Sequence, residues 1–238
     1  MPDKWSENPS RIVENPDCPL CGGSTELFYE QKESKRNLER DYYQCVSCRM
    51  VHVPPTWFLS AEEEKSRYDE HNNDPEDPNY REFLSRLFDP MAERLQSEGG
   101  PDRFPEGLDF GSGPGPTLSL MFEEKGYDVS LYDPFYASHP EHLDRTWDFI
   151  TTTETVEHLH KPLMEMDRLW SCLKPGGWLG VMTSTVPVDF DFASWHYKND
   201  PTHVVFWTEE SFEWLANRWG AELRTFPNGV FLFRKETE

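Results

Sequence analysis

The chain has 238 residues, enough for one sizeable core and a small accessory module. Its 44 Asp and Glu outweigh 23 Lys and Arg, a net charge of −21, so the mean field repels phosphate and a binder of structured nucleic acid is disfavoured. Apolar runs fall short of the roughly 18 residues a membrane span needs, and the N-terminus is polar and broken by prolines, which predicts a soluble, cytoplasmic protein with no signal peptide.

Residues 1–16 read as a flexible tail. Residues 17–58 carry two Cys-x-x-Cys pairs, Cys18/Cys21 and Cys45/Cys48, among short β-type runs such as Thr25–Tyr29 and Asp41–Cys45. In an intracellular chain such pairs are read as metal ligands rather than disulfides. Two pairs supply the four thiolates of a tetrahedral zinc site, and Gly22 and Gly23 suit the turn after the second ligand. Four thiolates leave no open position, so the expected zinc ribbon is structural. Its basic residues, Lys32, Lys35, Arg36, Arg40 and Arg49, are mixed with acids and form no stripe.

Residues 59–100 are charged and helical. Ser60 with Glu63 makes a capping box, the 72–78 run breaks the helix, and a second helix over about 79–97 places Phe83, Leu84, Leu87, Phe88, Met91 and Leu95 on one stripe. This region is expected to cover a bound ligand, with Tyr68, His71, Asn72, Tyr80 and Arg81 as candidate contacts, or else to be a solvated helix packed on the core. Residues 101–238 alternate strands (106–110, 128–132, 147–152, 178–184, about 221–226 and 230–234) with helices (116–125, 161–173 and 208–219). The alternation predicts an α/β, Rossmann-like domain, its mostly parallel sheet covered by helices on both faces. Cys172, in an apolar helical pattern, is expected in the core.

Gly107-Leu-Asp-Phe-Gly-Ser-Gly-Pro-Gly-Pro116 is a strand running into a glycine turn and then a helix, with Asp109 just before the turn. The next strand ends at Asp133, 22 residues beyond Gly111, where a Rossmann-type site grips ribose hydroxyls. A dinucleotide site would share these features. Leu108–Gly115, however, resembles the first motif of class I S-adenosylmethionine-dependent methyltransferases, and three further segments follow in that family's order. Tyr132-Asp-Pro134 is similar to the acidic second motif, Trp147–Leu159 to the fourth strand and its helix, and Leu173–Leu179 to the turn into the fifth strand. The resemblance implies that S-adenosylmethionine is the methyl donor. It implies that Gly111, Ser112, Gly113 and Gly115 line its methionine portion, with Asp109 beside the loop. Asp133 would hold the ribose, Pro134 and Phe135 would lie near the adenine, and Thr153 and Glu154 would edge the pocket. One departure stands out. Only residues 137–146 separate the Asp133 turn from the Trp147 strand, so the third-strand region is abbreviated and holds at most one short strand.

On the acceptor side, Glu154-Thr-Val-Glu-His158 reads as the opening of a helix, with Glu154 and His158 on one face. The loop Trp195–Trp207 is dense in aromatic residues and histidines. His203 or His158 could act as a general base, with Glu154 beside it. Alternatively, Glu154, Glu157, His158 and His203 could hold a divalent ion, a pattern similar to ubiquinone-pathway and small-RNA methyltransferases. The expected activity is methyl transfer to a small-molecule acceptor, with a hydroxyl as the candidate acceptor group. RNA or protein methylation guided by the ribbon, and a non-catalytic interaction protein, are the alternatives.

Overall fold

The computed structural model describes residues 15–33, 39–70, 73–186 and 191–237. Most of the expected tail lies outside these residues, as do Lys35, Arg36, His71 and Asn72. The N-terminal segment forms an antiparallel sheet. β1 (Thr25–Gln31) pairs with β2 (Arg40–Cys45), and β2 pairs with the short β3 (Val51–His52). The fourth strand of this sheet comes from far along the chain: β8 (Val205–Phe206) adds to β3, with Val51 opposite Phe206 and His52 opposite Val205.

Helix α1 (Ala61–Tyr68) starts at the expected capping box, Ser60 and Glu63 bonding reciprocally. Helix α2 (Pro78–Ser97) starts at an Asp77 cap and buries Leu84, Leu87, Phe88, Met91 and Leu95, the stripe legible in the sequence. From there β4 (Glu106–Phe110), α3 (Thr117–Glu123), β5 (Asp128–Tyr132), β6 (Trp147–Thr153), α4 (Pro162–Ser171), β7 (Leu173–Met182), α5 (Glu209–Trp219), β9 (Glu222–Phe226) and β10 (Val230–Arg234) follow, with β8 between β7 and α5. The second sheet has six strands in the order β5-β4-β6-β7-β10-β9. Its first four are mutually parallel; β10 runs antiparallel to both β7 and β9. Five of the six strands therefore run the same way, as expected of a mostly parallel sheet; β10 alone is reversed, the tight Pro227–Gly229 turn joining it to β9 as an antiparallel neighbour. Between β5 and β6 the described residues hold one isolated bridge, Asp133 to Ala137, and a short 3-10 turn at Pro140–Asp144 in place of a third strand and its helix.

Helices cover both faces. On one, α2 and α3 pack Leu84, Leu87, Phe88, Met91, Leu118 and Phe122 against Phe149, Trp178 and Leu232. On the other, α4 and α5 pack Met166, Leu169, Phe212 and Leu215 against Ile150, Leu179 and Phe231. This second cluster continues without a break into Leu20, Tyr42, Met50 and Val51 of the cysteine segment, through Phe206 and Trp207. Cys172 is buried, its thiol directed to the Leu143 carbonyl.

His52 lies in this junction. Burial holds its imidazole at about 4, below the ordinary 6.5. Between those values the unfolded chain binds a proton that the folded chain refuses, so stability is full above 6.5 and is lost as pH falls to about 4, by up to about 3 kcal/mol. The melting-temperature gap between pH 7 and pH 4.5 should therefore shrink in His52→Gln. An undiminished gap would remove His52 from the acid response.

Candidate active site

The glycine turn after β4 and the tip of β5 face each other at the carboxyl ends of the parallel strands, where α/β folds bind ligands. Gly111 has φ +76°, and a Cβ there would run into the Thr155 side chain. Its amide donates to the Tyr132 carbonyl at 2.8 Å, tying the turn to β5. Asp133 is 7% exposed and accepts three backbone N–H groups: Gly113 at 3.0 Å on Oδ2, and Phe135 at 2.8 Å and Tyr136 at 3.1 Å on Oδ1. One carboxylate therefore holds both the glycine turn and the turn after β5 in place. The Ser112 hydroxyl is buried with no hydrogen-bond partner among the described residues.

A cleft of about 810 Å³ opens here, within the usual size range of small-molecule sites. Gly111, Ser112, Gly113, Asp133, Pro134, Phe135, Thr153, Glu154, His158 and His203 all line it. Two expected residues do not. Asp109 lies beneath, 3% exposed, accepting from the Thr151 hydroxyl at 3.0 Å; burial, against that bond, pushes its carboxyl up to about 7. Gly115 is roofed by the Asn73 carbonyl, which leaves no space for a Cβ. Of the candidate contacts between α1 and α2, Tyr68 and Tyr80 line the cleft, whereas Arg81 pairs with Glu124. Asn73, crossing the glycine turn, was not legible: its role depends on a chain reversal that no local pattern encodes.

Glu154 and His158 do not share a helical face. Glu154 adopts φ +47°, only a single 3-10 turn (Val156–His158) follows, and α4 waits until Pro162. Thr155 stabilises the break, its hydroxyl reaching the Gly111 carbonyl at 3.3 Å and the Thr153 carbonyl at 2.9 Å. This bend buries Glu154 and Glu157 together. Burial first, then the Glu157 carboxylate, push Glu154 up to about 8, against the hydrogen bond with Tyr197. Glu157 is fully buried and accepts from Thr183 at 2.8 Å and from Tyr197. Tyr197, which no sequence signal singled out, thus bridges the two acids.

His158 and His203 meet edge to face, ring centroids 4.8 Å apart. Nδ1 of His158 lies 3.1 Å from the Thr202 carbonyl, and Nδ1 of His203 lies 2.7 Å from the Tyr197 carbonyl. A carbonyl only accepts, so each Nδ1 carries a proton and Nε2 is the ring nitrogen left for another partner. Burial, then His158, hold His203 down at about 4, so its ring is neutral at pH 7. Ligand atoms of Glu157, His158 and His203 lie within 4.8 Å of one another; Glu154 stands outside that set. Ligand atoms of Cys18, Cys21, Cys45 and Cys48 cluster equally tightly, with sulfur pairs at 3.5 Å and 3.3 Å. The Cys48 thiol, against burial, draws Cys18 down to about 5, while burial pushes Cys21 up to about 11.

Comparison with solved structures returns methyltransferases at low identity. An O-methyltransferase family protein from Burkholderia thailandensis is 14% identical, with a TM-score of 0.46 over 74% of this chain and 63% of that one, so the chain spans less than two thirds of its length. The 1,6-didemethyltoxoflavin-N1-methyltransferase of the same organism, with S-adenosylhomocysteine bound, is 15% identical over 80% of this chain and 97% of its own (TM-score 0.44). A SAM-dependent methyltransferase from Aquifex aeolicus is 22% identical over 71% and 96% (TM-score 0.43). No curated protein matches the sequence. The methyltransferase domain family matches residues 77–225, well over half of the chain and all of the donor-side elements described above. The chain belongs to the methyltransferase domain family.

Proposed function

We propose that this enzyme methylates a hydroxyl of a small molecule held beside Tyr68, His158 and His203. The observation that carries the reading is the pair of histidines whose Nδ1–H groups are both committed to backbone carbonyls, leaving Nε2 as the uncommitted nitrogen of each ring beside the buried Glu157. The net charge of −21 favours a small acceptor over RNA, and the reading places the enzyme in the cytoplasm.

The donor supplies a methyl group on an electrophilic sulfonium. Its cradle fits on two counts: a glycine turn that tolerates no Cβ at Gly111, and an unpartnered Ser112 hydroxyl in the lining. In this reading Gly111, Ser112 and Gly113 meet the methionine portion, Asp133 accepts from the ribose hydroxyls, and Pro134 and Phe135 flank the adenine. Thr153 and Glu154 edge the junction of donor and acceptor; Asp109 and Gly115 support the loop from behind. Held at about 8, Glu154 is mostly protonated at pH 7, so it can donate to the Tyr197 oxygen, whose single proton then goes to Glu157. Neutral His203 takes the acceptor's proton at Nε2, a role worth about 10²–10⁴ in rate.

Glu157, His158 and His203 also suit a divalent cation: two imidazoles and a carboxylate, each ring oriented through Nδ1 by a carbonyl. Such an ion would lower the acceptor hydroxyl's pKa. At the other end, the four cysteines fit a structural zinc. Zinc–sulfur bonds of about 2.3 Å space tetrahedral sulfurs about 3.8 Å apart, so the present pairs need open only by a few tenths of an ångström. On this reading residues 17–58 form the zinc ribbon, 59–100 cover the donor and 101–238 perform the transfer.

His203→Ala should lower turnover by about 10²–10⁴ while leaving S-adenosylhomocysteine affinity within about twofold. Labelled methyl incorporation into a metabolite extract, with and without chelator and manganese add-back, measures it. Unchanged incorporation in the variant would remove His203 from the mechanism.

A further inference from the structure

Arg40 is an anomaly in an acidic chain. It is 2% exposed, and among the described residues no carboxylate pairs with it. Among the described residues its guanidinium donates to three backbone carbonyls of one short stretch: Asp200 at 3.0 Å, Pro201 at 3.4 Å and His203 at 3.0 Å. Two residues along β2, on the same face, the Tyr42 hydroxyl donates to the Lys198 carbonyl at 3.0 Å. Lys198 is itself fully buried, its ammonium donating to the carbonyls of Ala193 at 2.9 Å and Trp195 at 3.3 Å and to the Asn199 side chain at 3.2 Å. Residues 198–203 are therefore gripped by buried donors, two of them supplied by the strand that ends at Cys45.

This stretch orients both histidines. The Thr202 carbonyl fixes the tautomer of His158, and the Arg40-bound carbonyl of His203 belongs to the second imidazole's own residue. The grip continues on the far side: the Val53 amide donates to the Val204 carbonyl at 3.0 Å, and the Val204 amide donates to the Glu157 carbonyl at 2.9 Å. An unbroken path of hydrogen bonds thus joins the cysteine segment to Glu157, His158 and His203. Among the described residues no such hydrogen bond reaches the glycine turn, which Asp133 holds through the Gly113 amide.

The geometry points to Arg40, with Tyr42, as a positioning residue that uses the cysteine module to set the acceptor-side loop, and with it His158 and His203. The inference rests on reading those histidines as the acceptor-side pair. It gives the module a task inside the enzyme: a scaffold for one wall of the active site, not a recognition arm. A guanidinium suits the task because its fixed fork can satisfy several carbonyls at once; a lysine reaches one or two.

The test uses Arg40→Met, Arg40→Lys and Tyr42→Phe in the full chain, with S-adenosylhomocysteine as the binding probe. Hydrogen exchange should rise about tenfold over residues 197–206 in Arg40→Met, by less in Tyr42→Phe, and be partly restored in Arg40→Lys, with β4 and β6 unchanged. The imidazole Nδ1–H resonances of His158 and His203 should broaden, while S-adenosylhomocysteine affinity stays within about twofold. Exchange unchanged over 197–206 would overturn the inference, as would a rise spread equally over β4 and β6 with donor affinity lost. Should Arg40→Met not fold, Tyr42→Phe decides alone, since it removes one hydroxyl and buries no charge. A loosened loop in these variants together with full turnover in His203→Ala would overturn the reading of the histidines and leave the positioning role standing.

Discussion

Asp133→Ala should lower the affinity for S-adenosylhomocysteine by about a hundredfold or more. The carboxylate accepts the amides of Gly113, Phe135 and Tyr136, all at 3.1 Å or less, in a spot only 7% exposed. Hydrogen bonds to a charged acceptor contribute about 1.5–3 kcal/mol each, and losing the acceptor leaves partly buried donors unpaired. A net loss of about 3 kcal/mol in the ordered site corresponds to roughly a hundredfold in affinity. The effect is therefore larger than the loss of a ribose contact alone, because the variant also frees the glycine turn from the turn after β5. Asp133→Asn keeps one oxygen acceptor and should fall between the two. Calorimetry measures the affinity, and a melting curve separates loss of the site from loss of the fold. Wild-type affinity in Asp133→Ala would sink the donor-site assignment.

The glycine turn and the tip of β5, where the donor is proposed to bind, were legible because their signals are local. Glycines adjacent in sequence made a turn that needs positive φ, and an acid 22 residues on marked the tip of the next strand. The short stretch after Asp133 left no room for a full third strand, and the described residues hold a single bridge there. The acceptor side was legible only as a set of residues. Glu-x-x-Glu-His at helical spacing reads as a helix face; the positive φ of Glu154 and the Thr155 hydroxyl bonds to nearby carbonyls make it a bend instead. That difference decides the chemistry, because it buries Glu154 against Glu157 and leaves Glu154 outside the Glu157, His158 and His203 cluster. Tyr197, Asn73 and Arg40 act across 40 to 163 residues of chain, and no periodicity or spacing records a contact of that range. The same limit applies to β8, two residues that complete the N-terminal sheet.

The largest loss of stability is expected from Cys45→Ser or, on the zinc reading proposed above, from stripping the metal. Cys45 is fully buried, and its sulfur accepts the amides of Ser47 at 3.4 Å and Cys48 at 3.5 Å. Structural zinc in small modules binds with an apparent free energy of about 10–16 kcal/mol at pH 7, and in such modules that binding is what folds them. In an isolated accessory domain the loss would stay local. Here Cys45, Tyr42 and Val51 share one apolar cluster with Phe206, Trp207 and Phe212, so a melted ribbon exposes part of the main core. Even a loss of about 4 kcal/mol would lower the melting temperature by roughly 8–16 °C in a chain of this size. Metal analysis should find one zinc per wild-type chain and little in Cys45→Ser, and a strong chelator should reproduce the melting shift. Metal-free wild-type protein with an unchanged melting temperature would refute the zinc assignment. If the shift appears, its division matters more than its size. Loss of order over residues 197–206 ahead of any change at β4 would mean that the cysteines hold the acceptor wall, and that a methyltransferase stripped of its structural metal can still bind its donor while having nowhere to put the methyl group.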